Sequence, residues 1–238
     1  SLCLLANPET CETRLLPVGA QDCAQAVERA EEIAPDWGDA LIAGPFDCVE
    51  RPNSGMAFAQ IAPGVFVHRG QVADVTPDNL GDVANIGFII GEDSVAVIDA
   101  GGSRAVGEAV YLAVRQITEK PISHLILTHM HPDHVMGAEV LIEAGAQVVG
   151  HRKLGQALAA RAETYEASFA RLMGAGFIGS RVPTVGEGIA DRAEIDLGGR
   201  MLDLVAWETA HSESDVTVFD RQTATLFTGD LVFDAHSP

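Results

Sequence analysis

Thr128-His129-Met130-His131-Pro132-Asp133-His134 sets three imidazoles and a carboxylate within six consecutive positions, directly after the apolar run Leu125-Ile126-Leu127. The stretch reads as a strand emptying into a ligand-bearing loop, with Pro132 starting a helix that fixes the directions of these groups. Neutral imidazole nitrogens and a carboxylate oxygen suit zinc, with iron or manganese as alternatives. A histidine-rich polar turn is the competing explanation, and it gives no reason for so many ligand types to crowd together.

Outward from this stretch the pattern is layered α/β. Upstream, strands are expected over 61–68, 84–90 and 94–98, the last two forming a hairpin through Gly91-Glu92-Asp93. A helix over 104–118 carries Val106, Val110, Val114 and Ile117 at helical spacing, and the strand 122–127 then delivers the histidines. Downstream come a helix over 135–144, a short strand over 147–150 and one long amphipathic helix over 153–173. Its apolar stripe of Leu154, Leu158, Ala162, Tyr165, Phe169 and Leu172 is core packing. The loop 174–179 is either a lid or a plain connector. The last part returns to strands over 193–197, 201–206, 216–219 and 224–227. Strand 224–227 runs into Thr228-Gly229-Asp230 much as strand 122–127 runs into Thr128-His129, so two strands deliver ligands from their carboxyl ends.

His129 and His131 need a third neutral donor, and His211 in Ala210-His211-Ser212 is the best candidate. Asp133 and His134 would then face a second metal, with Asp230 bridging the two. His68 and His124 sit in strands, where structural roles are expected.

With 238 residues, 47% hydrophobic and 21% charged, the chain suits one principal domain with a small appendage. Fifteen basic against thirty-four acidic residues give a net charge of −19, a solubility feature whose field repels nucleic acid and anionic membrane; the expected partner, from the site chemistry, is a small-molecule substrate. The apolar tract Ile86 to Ile90 ends at Gly91-Glu92-Asp93, far short of a membrane span.

All four cysteines, Cys3, Cys11, Cys23 and Cys48, fall in the first 48 residues. An even count in one short segment predicts two disulfides, of open connectivity, and hence a periplasmic or secreted protein. A structural zinc knot competes, but there is no C-x-x-C pair. The start at Ser1 fits an exported, processed chain. A helix over 23–33, capped by Asp22 and stopped by Pro35, and a Pro/Gly-rich linker over 36–55 complete the extension. The expected division is 1–55 as extension and 56–238 as the main domain.

The run His129, His131, Asp133, His134, followed by Ala210-His211-Ser212 and Thr228-Gly229-Asp230, resembles the ligand blocks of the metallo-β-lactamase-fold hydrolase superfamily over residues 60 to 234. The resemblance implies a four-layer αβ/βα fold. Ile98-Asp99-Ala100-Gly101 is similar to that family's I-D-x-G element, which implies that Asp99 supports the site through hydrogen bonds. His151 stands at an edge position of such sites. More narrowly, T-H-M-H-P-D-H-V-M-G, with Met136 where many relatives have Gly, and Gly229-Asp230-Leu231-Val232-Phe233 resemble the exported quinoprotein relay system zinc metallohydrolases. The family supplies a further histidine well after the bridging aspartate. His236 is six residues beyond Asp230, too close for that ligand but placed for the pocket mouth, so a native chain continuing past Pro238 is expected.

The function implied is zinc-dependent hydrolysis, in which hydroxide on the metal attacks an ester, thioester, lactone or amide carbonyl while Asp133 orients it or handles its proton. The alternative is a mononuclear iron persulfide dioxygenase built on His129, His211 and Asp230. A non-catalytic binding module is a third reading. β-Lactam hydrolysis is the weaker option, because Ser212-Glu213-Ser214-Asp215 replaces the Thr-x-Gly of true lactamases.

Overall fold

The computed structural model describes residues 1–19, 22–33, 37, 40–42, 44–49 and 51–233. At the amino end, β1 (Leu2–Leu4), β2 (Asn7–Glu12) and β3 (Ala40–Ile42) form an antiparallel sheet in the order β2-β1-β3, and α1 spans Cys23–Ile33. The disulfides are Cys3–Cys11 and Cys23–Cys48. By the loop-entropy argument, each closure stabilises the folded extension by roughly 2.5–3.5 kcal/mol.

The main body begins with β4 (Ala59–Ala62), β5 (Val65–His68), β6 (Ile86–Ile90), β7 (Val95–Ile98), α2 (Arg104–Ile117) and β8 (Ile122–Ile126). After the histidine stretch come α3 (Pro132–Val135), α4 (Ala138–Glu143), β9 (Gln147–His151), α5 (Leu154–Ala159), α6 (Ala162–Met173) and β10 (Glu187–Ile189). These strands make one seven-stranded sheet, β10-β9-β8-β7-β6-β5-β4, parallel from β7 to β10 and antiparallel from β4 to β7. The second sheet is antiparallel, β11 (Arg192–Asp196), β12 (Met201–Ala206), β13 (Val216–Asp220) and β14 (Thr225–Phe227), in that order.

Strand β7 explains the layering. Val95 and Val97 enter the core shared with the helices, while Ala96 and Ile98 enter the core between the sheets. Both faces are buried, so the strand is apolar without alternation. Ile126 and Val149 of the first sheet meet Leu202, Leu204, Val216 and Val218 of the second. On the other face, Val110 and Val114 of α2 and Leu141 of α4 cover Phe88, Val97 and Leu125. Among the described residues, the only helical segment after β10 is the 3₁₀ turn Gly229–Leu231. No helix among them is long and apolar enough to cross a membrane.

The expected long helix over 153–173 is broken in two, because the chain turns at Ala160-Arg161 between α5 and α6. The break rotates the second half, burying Phe169 and Met173 while Leu172 is left exposed. A single stripe over the whole length was therefore the wrong projection.

The extension docks on α2. Arg104, 1% exposed, donates to both Glu143 oxygens at 2.9 and 2.6 Å, to Glu108 at 3.2 Å and to the Leu15 carbonyl at 2.6 Å. Its guanidinium carbon lies 4.3 Å from the Trp37 ring centroid. Arg14 in turn donates to the Gly176 and Ile178 carbonyls, both at 2.7 Å. The loop 174–179 includes a 3₁₀ turn and is held by these bonds, which favours the connector over the lid.

Candidate metal centre

The loops that carry the candidate ligands meet at one end of the β-sandwich. Asp99 follows β7, residues 128–134 follow β8, His211 lies in the connection between β12 and β13, and Asp230 follows β14. The amide of Val216, first residue of β13, donates to the Thr128 carbonyl at 2.8 Å and ties the two halves of the site together. At the β14 end, a Cβ on Gly229, whose φ is +51°, would fall 2.8 Å from the Thr128 side chain, so only glycine fits this approach.

His129, His131, His211 and Asp230 converge, each offering one atom, with all four atoms within 4.8 Å of one another. His131 Nδ1 is 3.0 Å from His129 Nε2 and 2.9 Å from His211 Nε2. Asp230 Oδ2 is 3.8 Å from His129 Nε2 and 3.6 Å from His211 Nε2. A tetrahedron with metal–ligand bonds of about 2.0–2.1 Å has edges of about 3.3–3.4 Å, which these distances bracket.

The protonation pattern suits a cation. Thr128 Oγ1 donates to Asp99 Oδ2 at 2.8 Å, since an ionised carboxylate can only accept. The hydroxyl has one proton, so His129 Nδ1, 3.0 Å away, donates to it, and His129 Nε2 is left as a lone pair facing the cluster. Burial, reinforced by the neighbouring imidazoles of His134, His131 and His211, pushes His129 far below the ordinary histidine range. His131 is lowered by burial and then by His211. A His129 ring that offers its Nε2 lone pair to the cluster is a donor of the kind a divalent metal requires.

His134 behaves differently. Its burial alone would favour the neutral ring, but Asp99, Asp133 and Asp230 outweigh this and raise it well above its ordinary value. Nδ1 donates to Asp99 Oδ2 at 2.8 Å, while Nε2 stands 3.5 Å from Asp133 Oδ2 and 3.3 Å from Asp230 Oδ1. Burial would raise the Asp230 carboxyl, yet its contact with His134 and the other imidazoles holds it below the ordinary range. Asp230 thus turns one oxygen toward His129 and His211 and the other toward His134.

Asp99 accepts from the Thr128 amide at 2.8 Å as well, from a left-handed backbone with φ +62° that aspartate tolerates better than most residues. The Ala100 amide donates to the His134 carbonyl and the Gly137 amide to the Gly101 carbonyl, pinning α3 to the Asp99 turn. His151 is buried at the end of β9, where Nδ1 accepts from the Lys153 amide at 3.0 Å, and it does not line the cavity that the ligands share. His236 lies outside the described residues. His68 bonds Ala57 and Asp82, and His124 bonds Ser123, which are the structural roles expected of them.

Two supporting residues were not singled out in the sequence. Thr128 fixes the His129 tautomer, and its place beside the histidine was the available signal. Asp215, 2% exposed, accepts from the Ser212 amide at 2.8 Å and hydroxyl at 2.9 Å and holds the loop that carries His211. The sequence profile of the metallo-beta-lactamase superfamily matches residues 80–238.

The chain belongs to the metallo-beta-lactamase superfamily.

Within this superfamily it is similar to a metallo-beta-lactamase from Pontibacter korlensis, with 19% identity and a TM-score of 0.59 over 76% of this chain and 74% of that one. A metallo-beta-lactamase from Hirschia baltica gives 20% identity and a TM-score of 0.53 over 73% and 70%. The stereoselective inverting sec-alkylsulfatase Pisa1 from Pseudomonas sp. gives 19% and 0.51, over 71% of this chain but 30% of its own length. These likenesses are of fold. A search of curated proteins finds no match.

Proposed function

We propose that the protein is a metal-dependent hydrolase acting on an ester, thioester, lactone or amide. The convergence of His129 Nε2, His131 Nδ1, His211 Nε2 and Asp230 within 4.8 Å carries this reading. The donor set of three imidazoles and a carboxylate fits zinc, and also iron or manganese. His134, Asp133 and Asp230 are the residues that would hold a second cation. When bound, the metal supplies Lewis acidity that makes water nucleophilic near neutral pH and polarises the carbonyl.

The chain's own residues do the rest. Thr128 and Asp99 keep His129 Nε2 unprotonated, and Asp133, lining the cavity, orients the attacking water and takes its proton. Water oxygen joins the acyl carbon, the acyl–heteroatom bond breaks, and the proton passes to the leaving group. Neither a serine nor a cysteine nucleophile is needed. His131, set between His129 and His211, is a donor that an iron site of two histidines and a carboxylate would not use, which favours hydrolysis over persulfide oxidation.

The two disulfides favour an oxidising compartment. With the T-H-M-H-P-D-H-V-M-G run and Gly229–Phe233, they support our reading of the chain as similar to the exported quinoprotein relay system zinc metallohydrolases. In the same reading, residues 1–55 form the extension and 56–238 the hydrolase domain. The test is ester and thioester turnover by zinc-loaded protein, with His129→Ala and Asp230→Ala as controls. Both variants should abolish metal-dependent turnover, and unaltered activity in either refutes the assignment. Oxygen uptake with a persulfide by iron-loaded protein would favour the dioxygenase instead.

A further inference from the structure

The cavity over the metal centre, about 510 Å³, lies within the range of small-molecule sites. Its lining combines the polar groups His131, His211, Asp133 and Asp230, the exposed polar side chains Arg69 and Asn85, and a set of exposed apolar side chains. Of the twelve large apolar side chains that the described residues expose, five line this one cavity: Ile61, Val72, Leu226, Val232 and Phe233. Scattered singly, such residues would need no explanation, but gathered around a reaction centre they mark a surface that is covered in use. They come from distant parts of the chain, the first two near β4 and β5 and the others in or after β14. The Phe233 ring centroid is 5.6 Å from that of His211, so the apolar wall begins beside a candidate metal ligand.

We propose that the substrate carries an uncharged apolar acyl chain, held in the cavity by Ile61, Val72, Val232 and Phe233 while its carbonyl reaches the polar groups; this rests on the hydrolytic reading above. Charge argues against an anionic substrate body. The protein carries −19 overall, and Arg69 is the only lysine or arginine among the described lining residues of the cavity. Each methylene moved from water onto this wall should strengthen transition-state binding about two- to four-fold. The gain should end where the chain outgrows the cavity.

The experiment is kcat/KM of the zinc-loaded protein toward p-nitrophenyl acetate, butyrate and hexanoate, and toward the hexanedioate monoester. The expected result is a rise of about two- to four-fold per methylene, a hexanoate preferred over its carboxylate-ended analogue, and a flattened slope in Val72→Ser and Phe233→Ala. Taking the slope as the readout removes any general loss of activity in the variants. A flat or falling series, or preference for the hexanedioate, overturns the proposal while leaving hydrolysis intact. A second measurement needs no turnover: displacement of the neutral fluorophore N-phenyl-1-naphthylamine from metal-free protein by acetamide, butyramide and hexanamide. Tighter binding with length, lost in Val72→Ser, supports the apolar site even if no ester is hydrolysed, and no dependence on length refutes it.

Discussion

Replacing Asp99 with Asn tests the proton chain that prepares the centre. The amide keeps the size of the side chain and tolerates the φ of +62°, so backbone strain is not introduced. In the native protein Asp99 Oδ1 accepts from the Thr128 amide, while Oδ2 accepts from the Thr128 hydroxyl and from His134 Nδ1, all at 2.8 Å. With the asparagine oxygen facing the Thr128 amide, its NH₂ faces the hydroxyl. Thr128 then accepts from the amide and sends its own proton to His129 Nδ1. That places the His129 proton on Nε2, the nitrogen turned to His131, His211 and Asp230. The His134 N–H, fully buried, meets a second donor and loses a charge-assisted bond. Loss of a supporting hydrogen bond of this kind weakens metal binding about 10- to 100-fold. The lost bonds and the unpaired His134 together destabilise the metal-free fold by about 3–5 kcal/mol. Metal titration against a competing chelator and urea unfolding of metal-free protein measure the two effects separately. An Asp99→Asn protein that binds zinc within two-fold of wild type and unfolds within about 0.5 kcal/mol of it would refute this chain of bonds.

Two further outcomes follow from groups away from the ligands. Arg104→Met should destabilise the fold by about 3–5 kcal/mol at neutral pH, because Glu143 and Glu108 are left buried without their cation. Burial already raises both carboxyls against the pull of Arg104, so the penalty should shrink as the pH falls and they take up protons; a pH-independent penalty in thermal unfolding contradicts this. At the other end of the sandwich, Asp220 is fully buried and accepts from Arg200 at 3.1 and 2.6 Å. Burial alone would raise its carboxyl, but Arg200 and Thr223 hold it below the ordinary 3.8. Its stabilising contribution is thus present above about pH 4 and lost as pH falls through the depressed value. Asp220→Asn should flatten that acid limb of the stability curve, and an unchanged limb in acid titrations refutes the linkage.

The side chains that converge were legible because their types, order and strand-end positions are local properties of the sequence. The three candidates for a tetrahedral site in the first half and the second, His129, His131 and His211, do meet, although 80 residues separate His131 from His211. Strand β7 was legible for the same reason, since a strand buried on both faces must be apolar throughout. What escaped was set by long-range contacts. The docking of the extension depends on one arginine of α2 meeting a carbonyl 89 residues earlier and a tryptophan in a segment that reads as linker. The break between α5 and α6 leaves no glycine or proline as a mark, because Ala160 and Arg161 are both good helix formers. The pairing of four cysteines has three solutions, and only the fold selects Cys3–Cys11 and Cys23–Cys48.

The central claim is that these four convergent side chains bind a catalytic metal, and elemental analysis of the purified protein tests it most directly. Zinc, iron and manganese would be measured per chain in wild type and in His131→Ala and His211→Ala, with circular dichroism to confirm that each variant is folded. A stoichiometric metal in the wild type, lost in both folded variants, is the predicted result. A wild-type protein that neither retains nor takes up any of these metals, or variants that hold as much as wild type, would contradict it.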